Sequence, residues 1–273
     1  MADSPDAPFI AANQAQWDER AALHLESTFY DVDGWLRNER GPKSWEVQAL
    51  GDVTGLRLLH LQCHFGLDTL AWARAGATVT GLDFSPVAIA AAADIAERAG
   101  LSGRASFVCA GIDEAIAALN GARFHVTCTT IGSLCWLPSI ERWAEVVAAT
   151  LVSGGRLYLH DVHPVAWSMA EEDFRLTETY FEEAEPWVDD SPGTYTDANR
   201  PRQVQRSYEW NHSLGEIITA LIRHGLRITA LTEHDWTLWS RWPWLIPGAE
   251  GKWSVPTDMP RVPLSFTLLA ERT

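Results

Sequence analysis

Short apolar runs alternate with longer segments whose apolar positions recur every three or four residues. The run over 56–62 predicts a strand, and Leu67, Leu70 and Ala71 predict a helix over 67–75 that Gly76 closes. TVTGLD (78–83) predicts a second strand. Ser85 then serves as N-cap and Pro86 as first-turn residue of an alanine-rich helix over 86–99, ended by Gly100. Strands are predicted over 105–110 and 124–131, with a short helix near 113–119 between them. A helix over 139–150 starts behind Ser139, and Gly154-Gly155 turns the chain into a strand over 156–162. The alternation resumes at Ser213, whose capping box with Glu216 opens a helix over 214–224 that Gly225 closes. Strands over 226–236 and 264–272 follow. Strands separated by helices of this length imply right-handed crossovers and a three-layer α/β fold with seven strands in its main sheet.

Two segments break the alternation. Residues 1–50 precede the first strand and carry scattered aromatics. Residues 163–212 interrupt the sheet with an acidic stretch holding two strand-like pieces, 175–181 and 203–211. Both are expected to cover the C-terminal edge of the sheet, where such folds bind ligand. The expected organisation is an N-terminal helical lid (1–50), a nucleotide-binding core (51–162), a substrate-cap insertion (163–212) and the remainder of the sheet (213–273).

Composition narrows the partners. The 273 residues are 47% hydrophobic, enough for a sizeable core, and carry a formal charge of -15. That acidity opposes nucleic-acid backbones and anionic membranes. No apolar run approaches the ~18 residues of a membrane span. The start, MADSPDAPFIAANQ, lacks the basic and apolar regions of a signal peptide. Cys63, Cys109, Cys128 and Cys135 form no C-x-x-C pair and read as buried reduced thiols, which suggests the cytoplasm. No metal site is expected.

The stretch LLHLQCHFGLDTL (58–70) has the outline of a strand, a nucleotide loop and a helix. A dinucleotide loop needs three glycines so that pyrophosphate can approach the backbone, and only Gly66 is present. A cofactor without phosphates is less demanding. Asp83, at the end of the second strand, is placed to accept both ribose hydroxyls of a nucleoside, since Ser85 already caps the next helix.

These motifs resemble those of the class I S-adenosylmethionine (SAM)-dependent methyltransferases over about 56–162 and 213–272. The glycine motif maps onto Gln62-Cys63-His64-Phe65-Gly66, with only the third glycine kept, and His60 replaces the usual preceding acid. VTGLDFSPVAIAAA (79–92), CAGIDEA (109–115) and the segment 129–161 match the later motifs. The resemblance implies a Rossmann-like, mostly parallel sheet with its last strand antiparallel. It implies SAM as cofactor, S-adenosylhomocysteine (SAH) as product, and a small-molecule substrate, as in specialised metabolism. Asp83, with Phe84 beside it, is then the ribose acid, and Ala110, Gly111 and Ile112 flank adenine. Gln62, His64, Gly66 and Thr130 surround the methionyl end, with Gln62 and His64 turned away from it or donating to its carboxylate. Residues 12–35 resemble a lid, from which Trp17 faces SAM and His24, Phe29 and Tyr30 face the site.

Methyl transfer is a displacement governed by proximity, and some acceptors also lose a proton. His163 and His212, with Asp161 as orienter, are the expected bases, and Tyr30 is a further catalytic candidate. The 14 tryptophans suit a flat aromatic or heteroaromatic acceptor, with Trp136 and Trp210 against it. The expected activity is N-, O- or C-methylation by a monomer or homodimer that binds neither nucleic acid nor membrane. Another SAM-dependent reaction (isomerase, decarboxylase, cyclase) or a non-catalytic sensor stays open, and an NAD-dependent oxidoreductase is disfavoured by the missing glycines.

Overall fold

The computed structural model describes residues 5–170, 172, 174–204 and 206–273. Residues 1–4 of the N-terminal segment and Gln205 of the expected strand 203–211 lie outside them. Three helices come first: α1 (Ala7–Leu25), α2 (Val32–Arg37) and α3 (Ser44–Leu50). The alternating region follows as β1 (Arg57–Leu61), α4 (Leu67–Arg74), β2 (Thr78–Asp83), α5 (Pro86–Arg98), β3 (Ala105–Cys109), α6 (Ala115–Ala118), β4 (Phe124–Thr130), α7 (Ile140–Thr150) and β5 (Leu151–Val162). The insertion holds α8 (Pro164–Trp167), β6 (Trp187–Asp189) and β7 (Ser207–Glu209). Then come α9 (Leu214–Arg223), β8 (Leu226–His234), β9 (Trp236–Thr237), β10 (Ile246–Pro247), β11 (Trp253–Ser254) and β12 (Ser265–Arg272).

The main sheet has seven strands in the order β3-β2-β1-β4-β5-β12-β8. All are parallel except β12, which runs antiparallel to both of its neighbours. The expected α/β class, strand number and antiparallel last strand are therefore all present. Central strands such as β1 read as apolar runs because both faces are covered. On one side α7 and α9 bury Trp143, Val147 and Leu221 against Leu59, Leu157 and Phe266. On the other, α3 and α4 bury Leu50 and Trp72 against Leu58, Val126 and Tyr158. Ser85, Ser139 and Ser213 each accept a backbone N–H at the start of the predicted helix.

Several local expectations need correction. The short helix near 113–119 is a 3-10 turn followed by one turn of α-helix. Gly154 and Gly155 do turn the chain, but inside β5: Leu151 pairs with Phe124 and Arg156 with Val126, so the intervening residues bulge. The run 226–236 splits, since β8 ends at His234 and Trp236–Thr237 joins a small sheet with β10 and β11. Segment 175–181 forms no strand beyond a bridge between Leu176 and Met169. Of 203–211 only Ser207–Glu209 is a strand, paired with β6. Cys109 is exposed, unlike the other three free cysteines, because β3 is an edge strand. Among the described residues no helix is long and apolar enough to cross a membrane.

Candidate active site

The loop after β1 keeps the shape of a glycine loop with only one glycine, Gly66. Gln62, His64 and Gly66 all have left-handed backbones, at φ 57°, 51° and 77°. Only position 66 also demands an absent side chain: a Cβ there would lie 2.8 Å from the Phe107 ring and 3.1 Å from Ala92. Left-handed backbone costs a non-glycine residue roughly 1–2 kcal/mol, so the two side chains are kept against strain. Surrounding bonds hold the conformation. Cys63 N donates to Leu82 O at 3.0 Å, and His64 N donates to Asp83 Oδ2 at 2.8 Å. Gln62 Nε2 donates to Ser133 O at 2.8 Å. A carbonyl only accepts, so the Gln62 amide orientation is fixed, and Oε1 is left buried with no partner.

Asp83 receives Ser85 N on Oδ1 at 2.9 Å and His64 N on Oδ2. Burial pushes its carboxyl up to about 6, against those two bonds. Each oxygen keeps a lone pair for a further donor. His60 stands where an acid was expected and is bracketed by two threonines, with Nδ1 2.8 Å from Thr69 Oγ1 and Nε2 3.0 Å from Thr130 Oγ1. Burial drives its pKa down to about 4, so it is a neutral tie between α4 and β4.

Helix α1 lies over this edge with a polar buried face: Asn13, Gln16, Arg20 and His24. Its bonds explain the polarity. Asn13 exchanges two bonds with the Tyr208 backbone, at 2.7 and 2.8 Å. Gln14 Nε2 donates to Phe84 O at 2.6 Å, and Ser85 Oγ donates to Asp18 at 2.5 Å. His24 Nδ1 lies 3.1 Å from His64 Nε2 and 3.5 Å from the Tyr195 hydroxyl, which also bonds the Tyr30 hydroxyl. Helix α1, the loop after β1 and the insertion are thus joined through one small network.

Between them lies a cleft of about 1350 Å³. Ordinary small-molecule sites have ~300–1,000 Å³, so this one has room for two molecules. Its floor includes Gln62, His64, Gly66, Asp83, Phe84, Ala110, Gly111, Ile112 and Thr130; its cover includes Trp17, Phe29, Tyr30 and Trp136. The remaining predicted residues lie elsewhere. His24 is fully buried behind Tyr195 and His64 and does not line the cleft. Trp210 is buried against Phe9, away from any acceptor.

The expected bases must be corrected. His163 caps α8, accepting Val165 N on Nδ1, while Nε2 meets Glu233 at 2.9 Å. His212 meets Glu182 through Nδ1 at 2.5 Å and Leu137 O through Nε2 at 2.8 Å. Both rings are thus spent on structure, and neither lines the cleft. Asp161 does not orient a histidine. Its carboxylate gathers the N–H groups of Gly132, Ser133, Leu134 and Val162 and fixes the turn after β4.

Sequence reasoning missed Arg20, Asp189, Tyr195, Glu209 and Arg241, all on the cleft wall. Only Arg20 had a local signal, because Asn13, Trp17, Arg20 and His24 share one helical face at steps of four, three and four. Glu209 is buried, and its carboxyl is pushed up to about 7, by burial first and against the pull of Arg20.

Residues 58–155 match a family model described as Methyltransferase domain. No curated protein matches the sequence. Among solved structures, the fold is similar to a SAM-dependent methyltransferase of Mesorhizobium loti at TM-score 0.56 and 21% identity, covering 88% of this chain and 100% of that one. A provisionally assigned SAM-dependent methyltransferase of Listeria monocytogenes aligns at TM-score 0.58 and 18% identity, covering 84% and 97%. A glycopeptide N-methyltransferase solved with SAM aligns at TM-score 0.53 and 17% identity, covering 86% and 88%.

Proposed function

We propose, with residues 58–155 forming a methyltransferase domain of the SAM-dependent class I type, that this chain methylates a nitrogen, oxygen or carbon atom of a small aromatic or heteroaromatic molecule. The observation that carries the reading is the single cleft that joins the Gln62–Gly66 loop and Asp83 to a wall of tryptophans.

The residues present fit SAM. Both Asp83 oxygens retain acceptor capacity for ribose hydroxyls. Gln62 Oε1, a buried acceptor without a partner, suits the ammonium of the methionyl end. Gln62 Nε2 gives one N–H to Ser133 O and keeps a second for the methionyl carboxylate. Ala110, Gly111 and Ile112 line the adenine end, and Trp17 and Tyr30 offer aromatic faces to a cation. When bound, SAM supplies an electrophilic methyl group on a sulfonium. The chain holds the acceptor in line and excludes water, which can supply ~7–11 kcal/mol of the barrier. A hydroxyl acceptor loses its proton to Glu209, the cleft carboxylate titrating nearest neutrality.

The test is calorimetry with SAM, SAH and NAD, followed by transfer from methyl-labelled SAM to an aromatic acceptor panel. SAM and SAH are expected to bind and NAD to fail, and Asp83→Ala should weaken SAM at least tenfold. Tight NAD binding, or SAM binding with no methyl loss to any acceptor, contradicts the reading.

A further inference from the structure

Arg20 is a buried cation whose hydrogen-bonding capacity the described residues leave unused. It is 5% exposed, yet it lines the cleft. Its Nε is buried with no hydrogen-bond partner. Its one ion pair among the described residues, to Asp189, is 3.9 Å long, beyond hydrogen-bond reach. Its guanidinium lies 5.1 Å from the Trp17 ring centroid and 5.2 Å from that of Trp136, against two rings that meet edge to face. A buried charge without hydrogen bonds costs several kcal/mol, and a planar fork of N–H groups matches a carboxylate best.

Two carboxylates share this end of the cleft and must be weighed. Asp189 and Glu209 line it, together with Arg241, and Arg202 also acts on Glu209. With Glu19, which acts on Arg202, three guanidiniums meet three carboxylates here, a local balance in a chain whose overall charge is -15. Glu209 at about 7 is partly protonated at neutral pH, which lowers the opposing negative charge. The tryptophans give the same end a flat apolar wall: Trp136, Trp167 and Trp239 all line it.

We propose that Arg20, packed against the touching rings of Trp17 and Trp136, is the anchor for an acidic group on the acceptor, so that the substrate class is an aromatic carboxylic acid. This rests on the methyltransferase reading, because it requires the acceptor to share the cleft with SAM. Arg20 is a specificity-determining residue here, since it holds the acid group and not the reacting atom.

The experiment is calorimetry on SAH-saturated protein with benzoate and 2-naphthoate, each against its uncharged amide. The acids should bind at least tenfold more tightly than the amides. Arg20→Gln should remove that preference and leave SAH affinity within twofold; Arg20→Lys should retain part of it. Equal binding of acid and amide by the unmodified protein, which needs no variant to fold, overturns the proposal while SAH binding leaves the methyltransferase reading intact. A tenfold loss of SAH affinity in Arg20→Gln also overturns it, by assigning Arg20 to the cofactor's own carboxylate. Failure of SAH to bind the unmodified protein removes the broader reading and this one with it.

Discussion

Gln62 illustrates how much one residue can be asked to do. Its left-handed backbone belongs to a glycine, while its side chain closes onto Ser133 and leaves Oε1 buried in the cleft wall. Gln62→Gly relieves roughly 1–2 kcal/mol of strain and loses a hydrogen bond of about 1 kcal/mol. Its stability should therefore stay within about 1 kcal/mol of the parent. Gln62→Val places a β-branched side chain in the same backbone and should cost about 1–3 kcal/mol. Urea denaturation of the two variants checks this, and equal stabilities would refute the strain argument. Glu209 carries a second prediction. Its carboxyl, held near 7, must be deprotonated to act as a base, so turnover of a hydroxyl acceptor should rise as pH passes from 6 to 8. Glu209→Gln should flatten that limb and cost ~10²-fold or more. A variant that keeps the limb assigns the proton elsewhere.

Helix α1 is the element on which the site depends most. An ordinary surface helix buries an apolar stripe, whereas α1 buries Asn13, Gln16, Arg20 and His24. Its docking consists of specific bonds to β7, to the end of β2 and to the segment before β7, where Glu19 accepts from Gln203 and Val204 at 2.7 and 2.8 Å. A helix held this way is sensitive to single bonds. Asn13→Ala removes both bonds to Tyr208 and leaves buried backbone groups unpaired, at about 1–3 kcal/mol. Hydrogen exchange should then quicken across α1 and β7 and stay unchanged in β1 and β4. Uniform protection would show that packing alone holds the helix. The periodicity rules that located α4, α5, α7 and α9 assume an apolar contact face. They predict little about α1, whose contact face is polar because it docks through side-chain hydrogen bonds.

Across the whole molecule, buried titratable groups set the response to pH. His24, His60 and His160 are almost fully buried, and burial lowers their pKa values to about 2, 4 and 3. The unfolded chain takes up these protons below 6.5 and the native state refuses them, so stability is lost as pH falls, at about 1.4 kcal/mol per unit for each group. Glu46 and Glu209 act oppositely: burial raises them to about 8 and 7, so the native state keeps protons that the unfolded chain sheds above 4.5. Stability should rise slightly from pH 8 to 6.5, fall by about 1.4 kcal/mol per unit from 6.5 to 4.5, where three histidines outweigh two glutamates, and fall more steeply below that. Melting temperatures across that range check the sign, and a Tm still climbing at pH 4 would contradict it. The sheet was legible in the sequence because periodicity and capping residues act within a few positions of each other. That Asp83 and Gly66 would line the cleft was legible for the same reason: each sits at a fixed step from a strand end. His163, His212 and Asp161 were misread because a histidine's role depends on what meets its two nitrogens. Those partners, Glu233, Glu182 and Leu137, come from remote segments. By itself the sequence determined the fold and the strand ends at which the cleft opens. Only the tertiary structure decided which side chains reach the cleft, because Arg20, Tyr195 and Glu209 are far apart along the chain and meet only when α1 and the insertion close over the same strand ends.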